Sequence, residues 1–222
     1  LTKTGSGTLS LSGTNTYTGA TTISAGALTV SGALSDSTAV SVASGKTYTL
    51  GANDTVSSIS GAGNIVNGGY TLTAGGDNSS TTFSGVISGS GSFEKVGSGT
   101  LTLSGNNTYS SETLINGGTL SVGSTGSLSQ QAKVFVGSTG IYAIQADSSV
   151  GSIEGSGSIS LGSSTLTVGN NNVNHTFSGV ISGSGGLVKV GSGTLSLTGV
   201  NTFTGSVQMN GGILEVGASN LL

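Results

Sequence analysis

Gly97-Ser-Gly-Thr-Leu-Thr-Leu-Ser-Gly-Asn-Asn-Thr-Tyr109 is the stretch whose reading decides the fold. Leu101 and Leu103 alternate with Thr100 and Thr102, the period-two pattern of a strand with one buried face. Glycines close the strand on both sides, where a chain turning sharply needs positive φ. Almost the same string stands at Gly5 to Tyr17, with Leu9 and Leu11 alternating, and at Gly191 to Phe203, with Leu195 and Leu197. The shared skeleton is Gly5, Gly7, Asn15 and Tyr17 in the first copy, Gly97, Gly99, Asn107 and Tyr109 in the second, and Gly191, Gly193, Asn201 and Phe203 in the third.

Working outward, a lysine precedes each copy by two residues, at Lys3, Lys95 and Lys189. Further blocks recur at an offset of 94: Phe83-Ser-Gly-Val-Ile-Ser-Gly-Ser-Gly91 with Phe177 to Gly185, and Val56 to Gly63 with Val150 to Gly157. Leu1 to Phe93 is 92, and the difference falls between Val30 and Val40, where the second copy (Val122 to Val134) is longer. An insertion confined there marks a surface turn. The chain therefore divides into super-repeats at 1–92, 93–186 and a partial 187–222.

Apolar strand pairs recur inside each super-repeat at a spacing of about 19 residues, which suits one coil of a parallel β-helix whose coils cannot bury their own faces alone. The expectation is an all-β, right-handed parallel β-helix (β-solenoid) of about twelve coils in 94-residue super-repeats, a single segment over 1–222. At about 4.8 Å per coil it would be a rod on the order of 55 Å long. No helical periodicity separates the strands, so βαβ crossovers are not expected.

Composition narrows the function. Charged residues are 6% of the chain, against about 25% in ordinary domains, with a net charge of −3 and five Lys and Arg together. No basic patch exists to neutralise phosphates, so nucleic acid is a poor partner. No apolar run is long enough for a transmembrane helix. Cysteine is absent, which removes disulfides and thiolate metal sites. The chain opens mid-repeat at Leu1-Thr2-Lys3, which suggests a segment of something longer.

The motif Gly97 to Tyr109, followed by Glu112-Thr-Leu-Ile-Asn-Gly-Gly-Thr-Leu-Ser-Val122, closely resembles the passenger-associated transport repeat of autotransporters, and so do Gly5 to Val30 and Gly191 to Val216. The resemblance implies type V secretion: a β-helical passenger carried through a C-terminal outer-membrane β-barrel, folded at the cell surface, and continued by adjoining coils. It implies a stalk that supports export and presents a distal region. The alternative is an adhesin module that attaches to cells, or to its own kind, through the rod surface.

Chemistry is sparse. The acids are Asp36, Asp54, Asp77, Asp147, Glu94, Glu112, Glu154 and Glu215. A glycosidase needs carboxylates converging on one face, and these read instead as solvated turn residues. His175 is the only histidine and reads as a surface polar group. The Gly-Ser-Gly strings lack the lysine and helix of a phosphate loop. Thr-x-Thr pairs do not recur on every coil, which argues against an ice-binding ladder. No catalytic residue, cofactor or metal is expected. The three lysines read as outward, solubilising charges, and Tyr17, Tyr109 and Phe203 as packing aromatics five coils apart.

Overall fold

A computed structural model describes residues 1–217. The end of the partial third super-repeat, 218–222, lies outside the described residues. Among those described there is no helix; 28 short strands carry the fold. They stack in parallel ladders on three faces of a solenoid. Face I is a ten-stranded sheet from Thr2–Lys3 to Val180–Ser182. Face III is a nine-stranded sheet from Asp54–Val56 to Ile213–Val216. Face II is split into a five-stranded sheet from Thr8–Leu11 to Ile87–Gly89 and a four-stranded one from Ser148–Val150 to Val207–Met209.

Two irregular passes bridge the halves of face II. The Thr108 N–H donates to the Ile87 carbonyl at 2.9 Å, Ser110 to Gly89 at 3.0 Å, and Asn107 to Ser127 at 2.9 Å. The chain visits faces I, II and III in a fixed cycle and completes about eleven turns. Thr2 pairs with Thr22, Thr22 with Ser41, and Leu103 with Val122, so a turn takes about twenty residues.

That turn length changes one expectation. From Thr2–Lys3, four full turns return to face I at Thr81–Phe83, and the second copy opens two faces later, at Phe93–Lys95 on face III. The third copy opens at Leu187–Lys189 on face II. One super-repeat is thus fourteen passes, one short of the fifteen that make five coils. Equivalent residues of successive copies do not lie on one line along the rod. They sit on three different faces.

Alternation fills the core. Phe83, Leu103 and Val122 are register partners on face I and all are buried. The same inward column contains Ile23 and Val42. The corners are glycine-bound for two distinct reasons. Gly97 has φ of 69°, which side-chain-bearing residues rarely adopt. A Cβ on Gly99 would stand 2.1 Å from the Ser79 carbonyl oxygen of the preceding coil. The first requires turning, the second close stacking. The longer Val122–Val134 connection is accommodated at the corner where Ser124 and Thr125 are exposed.

The repeat corner as candidate functional site

Each copy begins with a strand whose lysine points inward. Lys95 is 1% exposed and Lys189 0%. The Lys95 ammonium donates to the Val96, Gly97 and Gly117 carbonyls at 2.6, 3.1 and 3.3 Å. Lys189 repeats this on Val190, Gly191 and Gly211 at 2.5, 3.3 and 3.4 Å. Lys3 does so on Thr4, Gly5 and Ala25 at 2.9, 2.7 and 3.1 Å. Two carbonyls come from the corner just ahead and the third from the next coil, so each lysine clamps one coil to its successor. Burial pulls the Lys95 and Lys189 ammonium groups below the ordinary lysine value, Asp77 partly opposing this at Lys95.

The expectation of outward, solubilising lysines is therefore wrong. The physical reason was visible in the alternation. Phe93 and Lys95 are two apart, as are Leu187 and Lys189, and period two puts both members of each pair on the buried face.

The asparagines lie one corner further on. The Asn107 carboxamide oxygen accepts the Ile87 N–H of the preceding coil at 2.9 Å, while its Nδ2 donates to Gly105 at 2.8 Å and to Ser127 of the following coil at 3.0 Å. Asn201 accepts from Ile181 at 2.9 Å and donates to Gly199 at 3.1 Å. Asn15 donates to Gly13 and Ala33, each at 2.9 Å. The side chain thus replaces ladder bonds where the strand is interrupted. Asn107 and Asn201 are buried; Asn15, in the first coil, is half-buried.

The aromatics complete the corner. Tyr109 is fully buried and its hydroxyl lies 2.6 Å from Thr113 Oγ1, itself buried. Tyr17 and Thr21 repeat the pair at 2.7 Å. In the third copy Phe203 replaces the tyrosine and Val207 the threonine, so both polar partners are absent together. Burial pushes the pKa of the Tyr109 phenol up, against the lowering effect of the Thr113 hydrogen bond. Among the leucines, Leu101, Leu103, Leu195 and Leu197 are buried, while Leu9 and Leu11 are half-buried. Gly5 and Gly191 share the positive φ of Gly97 at 78° and 68°. Gly193 approaches Val173 as Gly99 approaches Ser79, and Gly7 has open space. Since the copies open on faces I, III and II, the three aromatics are not stacked on one line five coils apart.

Two further polar groups are inward where the sequence reading placed them outside. Asp54 is 2% exposed; it accepts the Leu34 N–H at 3.0 Å and the Tyr48 hydroxyl. Burial raises its pKa, against the lowering effect of those bonds. One super-repeat later Tyr142 faces Ser148 at 3.2 Å instead. His175 is buried, with Nδ1 2.9 Å from the Val173 carbonyl, and burial lowers its pKa. Both follow the same rule as the lysines: Val56 and Phe177 stand two residues on, facing inward.

The remaining charge is gathered on face III and at the corners. Lys133 bridges Glu112 at 3.2 Å and Glu154 at 3.1 Å across three coils, and Glu94 accepts from Thr73 and Asn116. Among the described residues no three His, Asp or Glu side chains converge as a metal site would need, and no helix is long and apolar enough to cross a membrane.

Residues 1–30, 93–122 and 187–216 match the family model described as passenger-associated-transport-repeat. The chain carries three passenger-associated transport repeats. Each match runs from the lysine clamp through the asparagine and aromatic to the closing strand. A stretch of 130 residues is 40% identical to a protein named adhesin BmaC autotransporter, from Brucella suis biovar 1 (strain 1330), covering 53% of this chain. The chain spans about 4% of the length of that curated relative. No solved structure matches. In its repeats and in this relative the chain is similar to β-helical passengers of autotransporters.

Three outcomes test the corner. Lys95→Met keeps the stem but leaves the three carbonyls without their cation, and urea unfolding should show a loss of about 2–3 kcal/mol. Tyr109→Phe should cost about 1–3 kcal/mol by stranding the Thr113 hydroxyl, while Tyr109→Phe with Thr113→Val, the third copy's pair, should recover most of it. For Asp54 the folded pKa lies above the unfolded one, so its contribution is fully present below the unfolded value of about 3.9 and is lost as pH rises through the folded value. Asp54→Asn should remove that fall, so that its stability relative to wild type improves from pH 3 to pH 7 in paired denaturant titrations.

Proposed function

We propose that this segment is a structural stalk: it supports export and surface folding of the passenger and presents a distal functional region. The observation that carries this reading is the inward direction of the repeat. Lysine and asparagine are spent on joining one coil to the next, and the aromatic is buried against the threonine four residues on in its own coil. What recurs along the chain is a device for stacking, with little left outside to recognise a ligand. A solenoid held by nearest-neighbour contacts can fold coil by coil from one end. Outside the outer membrane each completed coil would oppose backward sliding, and the adjoining coils and a C-terminal β-barrel are the partners this reading requires. The absence of cysteine suits it, because no disulfide can close before translocation. The segment acts without catalysis or cofactor; its acids lie apart or in ion pairs on face III.

A second reading is favoured by the relative's name. An adhesive role for the rod surface, toward host or neighbouring cells, is consistent with likeness to an adhesin.

One experiment separates the two. Residues 1–222 are deleted from the full-length protein, and surface display of the remaining passenger is measured by protease accessibility on intact cells. The stalk reading expects display to fall severalfold. Full display with diminished cell attachment would overturn it in favour of the adhesive reading.

A further inference from the structure

Face I is the longest unbroken sheet, and its strands carry one charged residue, Lys3, whose side chain is buried. Face II, whose strands also carry only one charged residue, the buried Lys189, is split in two, and face III carries the ion pairs. The middle outward row of face I is a ladder of small residues, with hydroxyls at Thr22, Ser41, Thr102, Ser160 and Ser182 and an alanine at Ala143. Beside that row, three of the later coils expose apolar side chains, with Ser158 between the first two. Ile141 and Val180 are 38% exposed and Val200 56%. Ile141 pairs with Ser158 and Ser158 with Val180, and the Thr202 N–H bond to Ile181 sets Val200 beyond it in the same row. The other large exposed apolar residues, such as Tyr70, Val173 and Met209, lie in turns or in the outermost coils.

We infer that face I is a lateral docking surface for the same face of a second copy of this chain, with the two rods parallel and related by a two-fold axis along the ladder. In this isologous arrangement each hydroxyl of the middle row meets its own equivalent. The exposed apolar side chains meet the opposite flank of the partner's face, which is built from small residues such as Gly162 and Ser184. Small side chains let two sheets approach to the usual separation of about 10 Å.

Charge and area support a second copy as the occupant. With no charged side chain outward, two identical faces meet without like-charge repulsion, although the chain's net charge is −3. Ten strands about 4.8 Å apart, each presenting about 14 Å of length, offer roughly 650 Å² per copy. The resulting total of roughly 1,300 Å² falls within the range of specific interfaces. Parallel pairing uses all ten coils and is the geometry open to rods that leave one surface in the same direction.

The chain lacks cysteine, so single-cysteine probes are clean. In the full-length protein displayed on cells, Ser41→Cys and Ser182→Cys, near opposite ends of the ladder, are oxidised separately and resolved on non-reducing gels. Parallel pairing expects each variant to form disulfide dimers with itself, and Glu154→Cys on face III to form few. Adding Val180→Asp should cut the dimer at least tenfold while protease resistance of the rod is unchanged. Cross-linking only in a mixture of the Ser41→Cys and Ser182→Cys proteins would overturn the parallel arrangement. Absence of both homodimers, or dimers insensitive to Val180→Asp in a folded rod, would overturn the docking surface itself.

Discussion

Bending a strand around three corners in about twenty residues leaves backbone carbonyls and N–H groups that no ladder can pair, and everything else in this solenoid follows from satisfying them. A buried carbonyl without a partner costs about 1–3 kcal/mol, and a rod presents three corners per turn. Glycine supplies the conformation and the close approach, but it has no side chain to donate. The repeat therefore brings its own donors. A lysine ammonium takes three carbonyls at one corner, and an asparagine takes an N–H below and carbonyls beside and above at another. Placing a cation inside is tolerable because it is surrounded by oxygen dipoles, as a buried charge must be.

The fold was legible because its signal is simple. Alternation at Leu101 and Leu103, glycines at the corners and strict recurrence lead to a parallel solenoid, and the structure places those leucines in the core. What was misread came from letting residue type override position. Lys95, Asp54 and His175 each stand two residues before or after an inward apolar side chain. Period two assigns all three to the interior, and a general preference for placing charge outside was the weaker argument. The partners could not be read in the same way. Nothing in Lys95 names Gly117, because that contact depends on how many residues the intervening coil consumes. The same unknown hid the rotation of the repeat: a coil of about twenty residues rather than nineteen moves the second copy from face I to face III.

That rotation separates two kinds of selection on one sequence. An inward residue meets the same environment on any face, because all three faces close on the same stacked core. The clamp can therefore recur unchanged while its azimuth shifts. An outward residue meets a different neighbour at each copy. Lys133 bridges two glutamates on face III, whereas the outward rows of face I are uncharged over ten strands. Repetition thus maintains the rod without imposing a repeated surface, and each face is free to acquire its own character.

The third copy shows how tightly the inner requirement is held. Phe203 and Val207 stand where the first two copies have tyrosine and threonine, and both members of the hydrogen-bonded pair are replaced together. Either change alone would strand a hydroxyl in the core; the two together exchange one satisfied contact for another. Asp54 and Ser148 differ at equivalent positions under the same constraint, each facing the hydroxyl of a buried tyrosine. The unit that the solenoid preserves is therefore the satisfied contact rather than the residue. Such a pair is settled within its own coil, so that a coil needs only to stack on its neighbour, and that is what allows such a rod to be extended one turn at a time.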